Sequence, residues 1–593
     1  MIRAARPFCP FHPRSFEQVS KVLPEATQRG ISLRGLRKLR DKVKQLCSQG
    51  EIFGSYEGED YVVKDFDELT TTRFVYGWVK RHEVTGDERL ADCLDLIDPA
   101  DIGVPLYFVS HAWLGSFSKL LDGIFGFLKN ASDDTIVWID CLAVNQHGDT
   151  RLDINKADVA SFEATVKTCT GGTVVIMDME RMNAASRMWC IFEWLQAFRY
   201  HGSDGLHFMG LSLIHRQDVV NAVNVETAEC FDPKDGAMIL GKVRELYGST
   251  EAFDMTLKLQ LLFSPLSYKV DMEQLTRRCE GTQWTFGPVH EWLTEEESSS
   301  RALCVVAGAG TGKSTISAAL VREVLGKPAA GKPGEWEGPV SAAHFLKHSD
   351  RRRLDPVLMV KSLAFQLGLR LPKVAEALLK LGSLEIGRLG SSAEAAFDLI
   401  FSSSVVAAFQ GQQVVILIDA LDEADPPEQQ RPGFDEDKDP IEAVGNKTLH
   451  LLLSRFAKLP SNFRFIFTTR PDAVLGHVQA ALNRGFGLTY GASTIAGALP
   501  AGRVQYLGPR ALRQEEINGT GAAESNLVWH TVVHECGLEM PKLAAAPTLG
   551  DLYGAYEALF RRDDDAPHPK VLELLEVLLV ALEPLPSSLL QQM

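Results

Sequence analysis

The sequence predicts a multidomain α/β protein. It has a parallel α/β domain toward the N-terminus, a central α/β domain suited to phosphate, and a helical C-terminal region. Three observations carry this. The chain has 593 residues, too many for one hydrophobic core and enough for about three or four domains. In two separate stretches, short apolar runs alternate with helically spaced segments, as in strands joined by crossover helices. Finally, the glycine-rich string Ala307-Gly-Ala-Gly-Thr-Gly-Lys-Ser314 lies between the apolar run Leu303-Cys-Val-Val306 and a helically spaced segment, residues 316–325.

Strand, glycine loop and helix N-terminus, in that order, are the context a phosphate-binding loop needs. Glycines let successive backbone N–H groups curl around phosphate oxygens, and the helix dipole adds to the attraction. The expected binding set is Gly308, Gly310, Thr311, Gly312, Lys313, Ser314 and Thr315. Lys313 is expected to reach the β- and γ-phosphates and Ser314 to take one Mg²⁺ position. Ala307 stands where the motif usually has its first glycine.

Composition narrows the class. With 45% hydrophobic and 23% charged residues the chain is of ordinary globular type. A net charge of −16 argues against a nucleic-acid partner, which needs a basic face. No apolar run approaches the roughly 18 residues of a membrane span. The N-terminus has arginines but no apolar core of a secretory signal. The ten cysteines include no C-x-x-C pair, which suits reduced thiols, and a cytoplasmic location is expected. Cys9-Pro-Phe-His12 has the spacing of half a metal site, without a second half.

Taken in order, residues 1–100 read as a mostly helical packing segment, with Leu33, Leu36, Leu39, Val43 and Leu46 on one stripe. Residues 101–215 form the first α/β domain. Its strands are Pro105-Leu-Tyr-Phe-Val-Ser-His-Ala-Trp113, Thr135-Ile-Val-Trp-Ile-Asp140 and Gly172-Thr-Val-Val-Ile-Met-Asp178, with helices over residues 117–128 and 154–167. Ser110, His111, Asp140, Asn145 and Gln146 fall at or beyond the strands' carboxyl ends, where such sheets place function. Residues 216–275 read as a helical linker.

Residues 276–475 form the central domain. After the loop come a strand, Ser341-Ala-Ala-His-Phe-Leu346, a helix over 354–369, and Gln413-Val-Val-Ile-Leu-Ile-Asp-Ala-Leu-Asp-Glu423. The apolar run in the last is a strand buried on both faces. Asp419 at its end suits Mg²⁺, and Asp422 and Glu423 can orient an attacking water. A fourth strand, Phe463-Arg-Phe-Ile-Phe-Thr-Thr-Arg470, ends in Arg470, placed to sense the γ-phosphate. Residues 476–565 read as a helical region with a flexible insert and 566–593 as a further helical start. Residues 424–440 and 485–501 look like flexible additions.

Residues 101–215 resemble the TIR family, with features of fungal heterokaryon-incompatibility domains. The carriers are Phe108-Val-Ser-His111, Trp138-Ile-Asp-Cys-Leu-Ala-Val-Asn-Gln146 and Ser186-Arg-Met-Trp-Cys-Ile-Phe-Glu193. TIR domains carry a Ser-x-x-Trp-Cys-x-x-Glu helix whose glutamate serves NAD cleavage in active members. The resemblance makes Glu193 the candidate catalytic acid and NAD a candidate substrate. In a purely scaffolding domain, Trp189 and Phe192 would instead anchor the core, with Glu193 on the surface.

Residues 275–590 resemble the NACHT group of STAND NTPases. The carriers are Arg278-Cys-Glu-Gly-Thr282, Gly308-Ala-Gly-Thr-Gly-Lys-Ser-Thr315, Ile418-Asp-Ala-Leu-Asp-Glu423 and Thr468-Thr-Arg-Pro471. Val504-Gln-Tyr-Leu507 and Thr548-Leu-Gly-Asp-Leu-Tyr553 are similar to the family's helical portion, and residues 571–590 to the start of its winged helix. The resemblance implies an ATP/ADP-dependent, Mg²⁺-requiring signalling switch. It would control self-association of the TIR-like effector in defence or self/non-self recognition, under an upstream ligand the sequence does not identify. Two alternatives stand beside it: an NAD-cleaving effector gated by the NTPase, and a nucleotide-bound scaffold without turnover. The winged-helix region is expected to be incomplete, and no repeat of about 20 to 50 residues marks a sensor.

Overall fold

The computed structural model describes residues 25–507, except 57, 151, 203–204, 269–270, 273, 276–285, 295–300, 307–311, 326–339, 383–391, 410, 427–444, 471–476 and 488–503. The Arg278–Thr282 motif, Gly308, Gly310, Thr311, most of both flexible additions, Cys9-Pro-Phe-His12 and everything after residue 507 therefore lie outside the described residues. The architecture is mixed α/β, with two large sheets and a small hairpin.

The strands are β1 (Gly30–Ser32), β2 (Ile52–Tyr56), β3 (Glu59–Val63), β4 (Ile102–Gly103), β5 (Tyr107–His111), β6 (Ile136–Ile139), β7 (Gly172–Ile176), β8 (Leu206–Met209), β9 (Ala302–Val306), β10 (Ala342–Phe345), β11 (Val414–Asp419), β12 (Phe463–Thr469) and β13 (Val504–Leu507). The first sheet runs β4-β1-β6-β5-β7-β8. Its four strands β6, β5, β7 and β8 are parallel, as expected. β1, however, pairs antiparallel with both β4 and β6, so the sheet is mixed rather than wholly parallel. Close approach of β1 requires Gly30, since a Cβ there would lie 2.6 Å from Ile136 Cγ2.

Residues 25–103 thus contribute strands as well as helix. The stripe expected at Leu33, Leu36, Leu39, Val43 and Leu46 is the buried face of the helix Leu33–Gln49. Alternation then sorts the sheet's side chains. Val109, Val137, Ile139, Val174 and Ile176 pack with that helix and with Leu120, Leu121 and Ile124. Phe108 and Trp138 point the other way, against Phe162, Val166 and Ala197. The segment expected as one helix over 154–167 is two, Leu152–Ala160 and Phe162–Thr168. Between them the Ser161 hydroxyl donates to the Asp158 carbonyl (2.6 Å), a side-chain bond that competes with the helix ladder.

The second sheet, β10-β11-β12-β9-β13, is parallel throughout. β13 corrects the helical expectation for residues 504–507, which pair with β9 from Ala302 to Val305. In β11, Val414, Ile416 and Ile418 face one core while Val415 and Leu417 face the other. Both faces are therefore covered, as the continuous apolar run implies.

The expected linker is a packed joint. From the helix Thr250–Phe263, Phe253, Leu257 and Leu261 enter the core beside the first sheet, with Ile191 and Leu195. Leu259, Leu262 and Phe263 enter the core of the second, with Leu363 and Leu367. Just beyond, the Leu266 N–H donates to Ser362 Oγ (2.8 Å) and Tyr268 bonds His344 Nδ1 (2.6 Å). Because the Arg353 carbonyl can only accept, His344 Nε2 carries the proton at 2.9 Å and Nδ1 accepts from Tyr268.

Burial drives the His344 ring down to about 4, against about 6.5 in an unfolded chain. As pH falls the unfolded state takes up this proton first. Stability is therefore full above about pH 6.5 and is lost progressively down to about pH 4, by about 2 kcal/mol at pH 5. Urea denaturation at pH 7 and pH 5 should show a loss in the native chain that His344→Gln reduces by about that amount. Equal losses in both would refute the assignment.

Candidate functional site

Asp419 closes β11 and is 1% exposed. Its Oδ1 accepts from Ser317 Oγ and from Thr468 Oγ1, both at 2.7 Å. The Ser314 hydroxyl also donates to this carboxylate. Ser314 and Ser317 sit three apart on the helix Lys313–Leu325, hence on one face, and Thr468 comes from the adjacent β12. Burial raises the Asp419 pKa above its ordinary value, against the lowering effect of the three hydroxyls and of Lys313.

The chain then turns sharply. Ala420 is left-handed, φ 59° and ψ 53°, and its N–H donates to Thr468 Oγ1 (2.8 Å). A short 3₁₀ turn, Leu421–Ala424, follows and presents Asp422 and Glu423. Asp422 receives the Arg470 backbone N–H at 2.9 Å and its Nε at 3.1 Å. Glu423 receives the His348 N–H at 2.8 Å. Burial raises the Glu423 pKa, helped by Asp419 and Asp422 and opposed by that N–H.

Lys313, the first residue of its helix, is 8% exposed. Burial lowers its pKa, while Asp422, Asp419 and Glu423 oppose the shift. Gly312 before it has φ 88°, a conformation that favours glycine. Thr315 is buried in the first turn. The structure thus brings together Lys313, Ser314, Asp419, Asp422, Glu423 and Arg470. A buried cation at a helix N-terminus, followed by a hydroxyl joined to a strand-end carboxylate, fits a phosphate group and its Mg²⁺.

Three partners escaped the sequence reading. Ser317 was legible from its helical spacing to Ser314. His348 acts through its backbone, which carries no signal. Asn446 donates to the Leu421 carbonyl and to Asp425 Oδ1 (2.7 Å) from beyond the acidic insert, too far along the chain to suggest contact.

The first sheet gathers a second group of polar residues. Its strand order places the switch point between β5 and β7, where doubly wound sheets bind ligands. Ser110, next to last in β5, donates its hydroxyl to Glu193 Oε2 at 2.5 Å, and Trp194 Nε1 donates to Ser110 Oγ at 3.1 Å. Asp140, after β6, accepts from Trp113 Nε1 at 2.6 Å. Glu193 is buried, not on the surface as in the scaffolding alternative. Burial, then the Asp140 charge, push its pKa well above the ordinary value against the lowering effect of the Ser110 bond. Burial keeps His111 neutral. Phe192 is a core residue as expected, and Trp189 packs partly buried against that core. Asn145 and Gln146 serve the fold. The Asn145 N–H donates to Asp158, the carboxylate gripped by Arg89 at two points, and Gln146 bonds the Asp140 and Val144 carbonyls.

The left-handed turn at Ala420 yields a prediction. Ala420→Val should cost about 2 kcal/mol or more in chemical denaturation, while Ala420→Gly should be neutral or stabilising. Similar costs for both would show that φ is not the constraint.

Among the described residues no helix is long and apolar enough to cross a membrane. No curated protein matches the chain. A family model described as Nephrocystin 3, N-terminal, matches residues 282–470, the stretch that holds β9 to β12 and the Lys313–Asp419–Arg470 cluster.

Proposed function

We propose that residues 276–475 bind ATP or ADP with Mg²⁺ as a NACHT-type switch, and that the bound nucleotide controls self-association through the TIR-like residues 101–215. The observation that carries this reading is the Asp419 carboxylate at the end of a central parallel strand, joined to the hydroxyl that follows Lys313. The family match over the same residues supports it. In this reading Lys313 binds phosphate oxygens, and Ser314 and Asp419 hold Mg²⁺. When bound, the ion neutralises phosphate charge. Asp422 or Glu423 orients water, and Arg470, now paired with Asp422, exchanges that partner for the γ-phosphate. Turnover is slow, because a switch needs its bound state to persist.

The nucleotide released on denaturing the purified chain tests this. Near-stoichiometric ADP or ATP is expected from the native protein, with at least a tenfold loss in Lys313→Ala. No nucleotide in either, together with no binding of added ATP by well-folded protein, would overturn the assignment.

A second reading, NAD cleavage by residues 101–215, is favoured by one observation: a buried Glu193 bonded to Ser110 near the switch point. A carboxylate beside a ribose can stabilise the oxocarbenium-like charge that develops as nicotinamide leaves, as carboxylates do in glycoside hydrolysis. Glu193→Gln should then abolish NAD consumption without altering assembly. Unchanged consumption in that variant would leave residues 101–215 as a scaffold.

A further inference from the structure

At the carboxyl ends of β5 and β6, His111, Asp140 and Cys141 each offer one ligand atom, all within 4.8 Å of one another. The imidazole is 4% exposed, and neither of its ring nitrogens makes a hydrogen bond among the described residues. Leaving such a group unpaired costs about 1–3 kcal/mol, so this orphan calls for a partner. Nδ1 faces Asp140 Oδ1 at 3.8 Å, too far for a hydrogen bond. It lies slightly beyond the span of a nitrogen and an oxygen ligand on one zinc ion, about 3.3–3.5 Å for bonds of about 2.0–2.2 Å. The Cys141 thiol is fully buried beside them and is in no disulfide. Asp140 is held in place by the Trp113 indole on Oδ2 and the Cys141 N–H on Oδ1 (2.7 Å), the outer support typical of a metal ligand.

We propose that His111, Asp140 and Cys141 bind one Zn²⁺ ion, with a fourth position open to water. One nitrogen, one oxygen and one sulfur donor suit zinc, and the imidazole and thiolate disfavour Mg²⁺ and Ca²⁺. Three protein ligands are the number that leaves an open position. Binding exchanges the Cys141 S–H bond for an S–Zn bond, and the proton leaves to solvent. Thiolate and carboxylate together balance the ion's two charges. Closing the triad needs side-chain shifts of about 1 Å. The proposal is independent of nucleotide binding in the second sheet.

The test uses the full chain, stripped with a chelator, reloaded with zinc and assayed for metal against a competing chromophoric chelator. One zinc per native chain is expected. His111→Ala and Cys141→Ser should each bind at least tenfold more weakly, with folding checked by circular dichroism. Cys190→Ser is the control, since that thiol donates to the His111 carbonyl at 3.4 Å and should leave the zinc in place. If either triad variant fails to fold, X-ray absorption of the zinc-loaded native chain decides, because it needs no substitution. A shell of one sulfur with nitrogen and oxygen donors supports the site. No retained zinc, a shell without sulfur or with several sulfurs, or zinc kept by both folded variants overturns it.

Discussion

The Asp419 carboxylate is the constraint on which the central domain turns. A charge this deeply buried is tolerated only with donors around it, and three hydroxyls from two elements supply them. Each such bond to a charged group contributes about 1.5–3 kcal/mol. The same bonds fix the helix that begins at Lys313 against β11 and β12. Thr468 does more, because its hydroxyl also receives the Ala420 N–H and so shapes the left-handed turn. That turn is what brings Asp422 and Glu423 into the electrostatic neighbourhood of Lys313. One buried carboxylate therefore sets the position of a helix, a turn and two further acids.

Both sheets follow the same geometric rule with opposite electrostatics. Covered on both faces by helices, a parallel sheet offers its strand ends as the open place for polar chemistry. At the second sheet the groups found there are a buried lysine and three acids, a set that favours a polyanion with its counter-cation. At the first sheet burial raises the Glu193 pKa and lowers that of His111, whose buried Nε2 has no hydrogen-bond partner among the described residues.

Long, strongly patterned elements were legible in the sequence. Parallel strands β5, β6, β7, β9, β11 and β12 carry apolar runs that need burial on both faces, and the helix Leu33–Gln49 shows its stripe plainly. Three-residue β1 was not legible, because so few residues cannot express a period, and Val504–Leu507 was read as part of a helical region. β1 is recruited by backbone pairing and by the missing Cβ of Gly30, neither of which a hydrophobic pattern records. In the candidate site, every acid and base that follows a strand was recognisable by position. The burial of Glu193 and the pairing of Asp422 with Arg470 were not, since each depends on elements far apart in the chain.

The Arg470–Asp422 pair bears directly on how a switch of the proposed kind would work. A ligand moves an equilibrium only by its difference in affinity for two states. Arg470 is tied to Asp422 through both its backbone N–H and its guanidinium. A γ-phosphate near Lys313 would compete for the guanidinium but could not displace the backbone bond. The side chain can thus change partner while the end of β12 stays in place, confining the response to the 3₁₀ turn that holds Asp422 and Glu423. Glu423 in turn holds the backbone of His348, beyond β10, and β10 contributes His344 to the contact with Tyr268. Tyr268 lies five residues beyond the end of the helix Thr250–Phe263, which packs on both sheets. The chain of contacts from nucleotide site to first sheet is therefore continuous. In the proposed switch the Arg470 guanidinium is the member of this chain that changes partner, which makes that ion pair the element whose two states nucleotide binding would have to distinguish.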